Sequence, residues 1–240
     1  MKRNALFAVT CLACAALFAG CGASPVHYHT LASSQPFEHA ARTRADFAID
    51  VMPVRMPPSL DQAYLAIRTG QTEVEFVDDE RWASPLGNEI RAALSRRLAS
   101  RLDTNDVGDV GDVGGLGDTS SPSDINADSG FSSNSNYNKP VATIEVEIRQ
   151  LDVWPGSRVQ LTAGWKARIS DRKAGGLSCV TQLQAPVAAR DYGSVVQAQQ
   201  AAILELADII GADVISLEKS APAQRSCSSA EHAPAIASTD

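Results

Sequence analysis

What most restricts the folds open to this chain is an alternation between residues 141 and 184, where every second side chain is apolar. Ile144, Val146 and Ile148 alternate with Glu145, Glu147 and Arg149. After Pro155-Gly156-Ser157 the pattern resumes with Val159, Leu161, Ala163, Trp165, Ala167 and Ile169 set against Arg158, Gln160, Thr162, Lys166 and Arg168. A third segment, Leu177–Gln184, keeps Leu177, Cys179 and Leu183 on one side. A period of two sends successive side chains to opposite faces, so each segment is a strand with one buried and one wet face. Pro-Gly-Ser is turn chemistry, which joins the first two as neighbours. Strands of a doubly wound parallel sheet are buried on both faces and lack this polar side, so that architecture is excluded.

A sheet buried on one side needs a cover, and two stretches supply it. Ser84-Pro85 has the chemistry of a helix start, a hydroxyl to accept an orphan N–H and a fixed φ at the first helical position. Leu86, Ile90, Leu94, Leu98 and Leu102 then form an apolar ridge, with Ala93 beside it and Arg91, Arg96, Arg97 and Arg101 expected to face water. Asp191 or Ser194 opens a second helix with Val196, Ile203, Leu206, Ala207, Ile210 and Val214 on one side; Gly211 is expected to break or bend its last turn. Upstream, Asp46–Val54 alternates as a strand, and Ala63–Arg68 with Glu73–Val77 reads as a hairpin around Thr69-Gly70-Gln71-Thr72. Asp78-Asp79-Glu80 reads as a solvated corner before the first helix. The prediction is an α+β, two-layer fold: a mostly antiparallel sheet of about six strands with two helices packed on one face.

The ends and one insert differ in kind. Residues 1–20 carry Lys2 and Arg3, an apolar run and then small residues, the make-up of a secretory signal. Phe18-Ala19-Gly20-Cys21 places a thiol where a lipoprotein signal would end, making Cys21 the candidate lipid-bearing residue; cleavage after Ala23 without lipid is the competing reading. Residues 21–43 are expected to be a tether, 44–217 the folded domain, and 218–240 a disordered tail. Within the domain, residues 103–139 run through D-V-G repeats into Ser, Asn and Asp, bury almost nothing apolar and are expected to be a disordered insert. The formal net charge is −7, and loss of the signal takes Lys2 and Arg3 with it, leaving −9, which argues against nucleic acid as a partner. Of five cysteines, Cys11 and Cys14 lie in the signal. Cys179 and Cys227 could be bridged in an oxidising compartment, but Cys227 stands in a Ser/Ala-rich stretch and Cys179 reads as a buried, inert thiol.

The search for chemistry returns little. His27, His29 and His39 fall in the expected tether and His232 in the tail, so no histidine is expected in the folded core to serve as a base. No phosphate-cradling glycine loop, nucleophile elbow or zinc spacing is present, and His27-x-His29 lacks further ligands nearby in sequence. No catalytic residue, metal or cofactor is therefore expected, and the chain reads as a non-enzyme. Arg81-Trp82 suits either an interface or, for Trp82, a plug at the end of the core. Trp154, beside Pro155 at a strand end, is the first candidate for contact with a partner or lipid.

The run F-V-D-D-E-R-W-A-S-P-L (Phe76–Leu86), the segment H-Y-H-T-L (His27–Leu31), D-Y-G-S-V-V-Q-A (Asp191–Ala198) and the signal ending at Cys21 together resemble the PqiC (YmbA) family of auxiliary lipoproteins of intermembrane lipid transporters. The resemblance implies a fold similar to the N-terminal domain of TolB, in which Tyr28-His29-Thr30-Leu31 forms a short edge segment. It implies an outer-membrane-anchored, periplasm-facing subunit that self-assembles into a homo-oligomer. Its implied partners are a protein with an MCE domain, an inner-membrane permease and phospholipid. The competing reading, from another class, is a lipoprotein that pilots or chaperones a secretion or outer-membrane assembly machine.

Overall fold

The computed structural model describes residues 25–32, 43–108, 139–170, 176–219 and 227. Among the described residues, seven strands and two helices follow one another: β1 (His27–His29), β2 (Ala48–Val51), β3 (Tyr64–Arg68), β4 (Val74–Trp82), α1 (Leu86–Leu102), β5 (Val141–Trp154), β6 (Arg158–Ile169), β7 (Leu177–Pro186) and α2 (Tyr192–Lys219). The fold is α+β, as the alternation and the two apolar ridges require. The strands divide into two sheets, ordered β1-β4-β3 and β2-β5-β6-β7. The meander β5-β6-β7 and the hairpin β3-β4 are antiparallel, while β1 on β4 and β2 on β5 are parallel. The two sheets meet where β3 lies against β5, and there Arg68 Nε donates to Asp152 Oδ1 at 2.7 Å.

The alternating residues of β5, β6 and β7 point into one core together with the α1 ridge and the buried side of α2: Ile144, Ile148, Leu161, Leu183, Ile90, Leu94, Leu98, Ile203 and Ile210 are all buried. Trp165 turns its indole N–H onto the Thr181 hydroxyl at 3.0 Å, which satisfies the one polar group it brings inside. Ile49 and Val51 of β2, with Phe47 just before it, enter the same core, the strand expected over Asp46–Val54 being only four residues long.

Several expectations are corrected. The acidic corner does not exist: β4 runs on from Val74 to Trp82. Its pairing with β3 jumps from Leu65↔Val77 to Tyr64↔Arg81, so Asp78, Asp79 and Glu80 form a bulge within one strand. Val74 and Phe76 are exposed, and the inward side of the hairpin is Leu65, Ile67 and Val77. Of the four arginines expected to face water on α1, only Arg96 is exposed. Arg97 grips Asp208 of α2 through both Nε (2.9 Å) and Nη2 (2.7 Å), Arg101 approaches the same carboxylate, and Arg91 donates to the Val51 carbonyl at 2.9 Å. Gly211 does not interrupt α2. It is the point where α1 crosses: a Cβ built there would lie 3.2 Å from Arg101 Cδ and 3.4 Å from Leu98 Cδ2, so the bare backbone permits the close approach.

The insert begins later than its composition suggests. Ile49 donates to Asn105 and accepts from Val107, Thr104 donates to the Phe47 carbonyl at 2.7 Å, and Asp106 pairs with Ile49 as an isolated bridge. Residues 104–108 thus line the free edge of β2; residues 109–138, the rest of the expected insert, lie outside the described residues. Cys179 is not a thiol but is joined to Cys227 in a disulfide, with 5.9 Å between Cα atoms.

Candidate functional site

β1 lies inside the stretch expected to be a tether, at the place where the resemblance implies a short edge segment, and it is an edge strand of its sheet. Three residues of alternating character suffice to place His27 and His29 on one face and Tyr28 on the other. In register, His27 lies beside Glu80, Tyr28 beside Arg81 and His29 beside Trp82. The bulge in β4 sets Glu80 on the inner side, where it is 7% exposed. His27 Nδ1 meets Glu80 Oε1 at 3.0 Å, and His29 Nε2 meets Glu80 Oε2. Burial alone would push the Glu80 carboxyl up; the hydrogen bonds and electrostatic attraction of His29 and His27 outweigh it and hold the group below the usual carboxylate value. Both oxygens of one carboxylate are therefore occupied by the two rings. Tyr192, at the start of α2, is raised by its own burial and then by the carboxylates Glu75, Asp79 and Glu80 around it.

A second buried carboxylate holds the next residues. Glu89, in the first turn of α1 and 6% exposed, accepts from the Thr30 hydroxyl at 2.6 Å, the Leu31 backbone N–H at 3.0 Å and the Ser84 hydroxyl at 2.8 Å. Ser84 is thus not the helix cap its position suggested; Asp61 Oδ1 takes the Gly87 N–H at 3.1 Å instead. Leu31 is buried in the core, Gln200 of α2 donates to its carbonyl at 2.8 Å, and the Ala83 N–H donates to the His29 carbonyl at 2.8 Å. Residues 27–31 are clamped by two carboxylates, one glutamine and a strand pairing. Chemically the arrangement serves to hold a segment of backbone. Among the described residues, no group of three His, Cys, Asp or Glu side chains is placed to hold a metal ion.

The candidates named from sequence are scattered. Arg81 and Trp82 sit on opposite faces of β4. Trp82 is buried, 4% exposed, whereas Arg81 lies outside with its guanidinium 4.9 Å from the Tyr64 ring. Trp154 is half-buried at the end of β5, stacked under Arg158 at 4.5 Å across the hairpin. Cys21 lies outside the described residues. Glu80, Glu89, His27 and His29 were missed as a group because their partners stand 51 to 59 positions apart. The local signal was the H-x-H pair with a period of two, which fits an inward strand face as well as a tether.

A model of the ABC-type transport auxiliary lipoprotein component matches residues 29–120 and 122–211, which takes in β2 to β7, α1, most of α2 and the clamp from His29 onward. The chain belongs to that family. This agrees with the resemblance carried by the Arg81-Trp82 run and by H-Y-H-T-L, both of which the structure shows to be packing elements of the clamp. Among solved structures, the chain is similar to one of a protein described only as uncharacterized, at 14% identity and a TM-score of 0.56, over 80% of this chain and 99% of that one. It is also similar to a Xanthomonas campestris protein at 12% identity and a TM-score of 0.52, over 75% of this chain and 91% of that one. These likenesses show the fold alone. A comparison with curated proteins finds no match.

Proposed function

We propose that this auxiliary lipoprotein is a non-enzymatic subunit of an intermembrane phospholipid transport system, held at the outer membrane by lipid on Cys21 and facing the periplasm. It works with an MCE-domain protein and an inner-membrane permease, and assembles as a homo-oligomer. The family match over residues 29–211 carries this reading. Two structural observations support it. The Cys179–Cys227 disulfide suits an exported, oxidising compartment such as the periplasm. Glu80 and Glu89 with His27 and His29, groups suited to acid–base work, are committed to one another and to the backbone of residues 27–31.

The test pairs two measurements. Cys21→Ser should leave the domain folded, self-associating and able to bind an MCE-domain partner, yet should compromise the envelope in cells, because the domain is no longer held at the membrane. A domain that stays monomeric and ignores that partner, or a Cys21→Ser strain with an intact permeability barrier under stress, favours the secretion-pilot role instead.

A further inference from the structure

The clamp also fixes which side of the molecule is brought to the anchor. Only residues 22–26 separate Cys21 from β1, and a fully extended chain from Cys21 to His27 reaches about 20 Å. β1 is therefore held within that distance of whatever surface the Cys21 lipid enters. β1 is an edge of the β1-β4-β3 sheet, and the outer face of that sheet is open: Tyr28, Phe76 and Val74 are 67%, 45% and 43% exposed. In register, Tyr28 lies beside Arg81 and Arg81 beside Tyr64, forming one row across the face. Phe76 and Val74 follow along β4 opposite Ala66 and Arg68. At the β3 edge the face runs into a cleft of 310 Å³ walled by Leu60, Leu151 and Val153.

Rings with an apolar body and a polar tip, next to an arginine, are the side chains that settle at the level of lipid headgroups. We infer that the outer face of the β1-β4-β3 sheet rests on the phospholipid surface, with Tyr28 and Tyr64 at headgroup depth, the wholly apolar Phe76 against the acyl boundary and Arg81 turned to the phosphates. Asp78, exposed in the bulge with its carbonyl accepting from Arg81, adds negative charge beside the row, so the face fits zwitterionic rather than anionic headgroups. The inference rests on the lipid being carried by Cys21.

Carbene footprinting tests it on two preparations: the acylated full chain in phosphatidylethanolamine/phosphatidylcholine vesicles, and a Cys21→Ser chain held on the same vesicles by an N-terminal hexahistidine on nickel-chelating lipid. Relative to the chain free in solution, labelling of Tyr28 and Phe76 should be lost on vesicles, while Val180, 55% exposed on β7, stays labelled. The double variant Tyr28→Ser, Phe76→Ser removes only exposed side chains and should fold, yet lose the protection of Tyr64. Undiminished labelling of Tyr28 and Phe76 on the nickel-held chain overturns the inference, as does protection of Val180 in their place. Intact mass of the exported chain reports separately on Cys21. An unmodified N-terminus with a protected face refutes the anchor alone, and a labelled face on a fully acylated chain refutes the face alone.

Discussion

Two glutamates do work that their neighbours in sequence do not reveal. Glu89 is the shared acceptor of three donors, one of them the buried Leu31 N–H. Truncating it leaves that N–H without a partner, which costs about 1–3 kcal/mol. Glu89→Ala should therefore lower Tm by several degrees in calorimetry and, in hydrogen exchange, should open residues 27–31 before the meander β5-β6-β7. Glu80 adds a pH dependence. Its folded carboxyl is held below the value of 4.5 it would have in the unfolded chain, so the unfolded state binds more protons as the pH falls. Its contribution is fully present above about pH 4.5 and is lost as the pH drops through the lowered folded value. Glu80→Gln should flatten the acid limb of a Tm-against-pH curve. An acid limb identical to that of the parent would show that Glu80 does not govern it.

At the scale of elements, the helices behave as the apolar ridges require, but what joins them is polar. Arg97 and Asp208 make a two-pronged pair between α1 and α2, and Gly211 lets the helices close on Arg101 and Leu98. The insert sets a second boundary. Residues 104–108 complete the edge of β2, so a deletion must respect them. Replacing residues 109–138 with a short Gly/Ser link should leave Tm unchanged or slightly raised, since shortening a loop of this length alters closure entropy by about 2 kcal/mol at most. A deletion starting at Asn105 should melt lower, because Ile49 loses its N–H and C=O partners on that side. Equal melting of the two deletions would contradict the pairing of β2 with this segment.

For the whole molecule, the disulfide decides how the chain's last described residue relates to the domain. It joins the inner side of β7 to Cys227 across 48 positions, passing over the whole of α2. A loop of that length, closed in the unfolded chain, contributes up to about 4 kcal/mol. Cys227→Ser should lower Tm by no more than that bound allows. If the signal is removed with Cys11 and Cys14 and Cys21 is acylated, as proposed, the mature chain should show no free thiol before reduction and two after it. A free thiol in the oxidised protein would argue against the bridge.

Much of this architecture is written locally. Strand alternation from Ile144 to Leu183 and the ridges Leu86–Leu102 and Val196–Val214 each repeat within a few residues, and burial enforces that repeat directly. The same local chemistry marked Cys21 as a candidate anchor, and the ordered run from His27 to Ala198 carried the family. Pairing over distance is settled by packing. His27-x-His29 reads as tether until Glu80 arrives from 51 positions away, and Asp78-Asp79-Glu80 reads as a wet corner until β1 lies alongside it. Cys227 looked unconstrained until it was found joined to Cys179 of β7. A side chain's own neighbours set its face and its propensity, but the partner that satisfies a buried charge or a thiol is chosen by the packing of remote segments, which no window on the sequence contains.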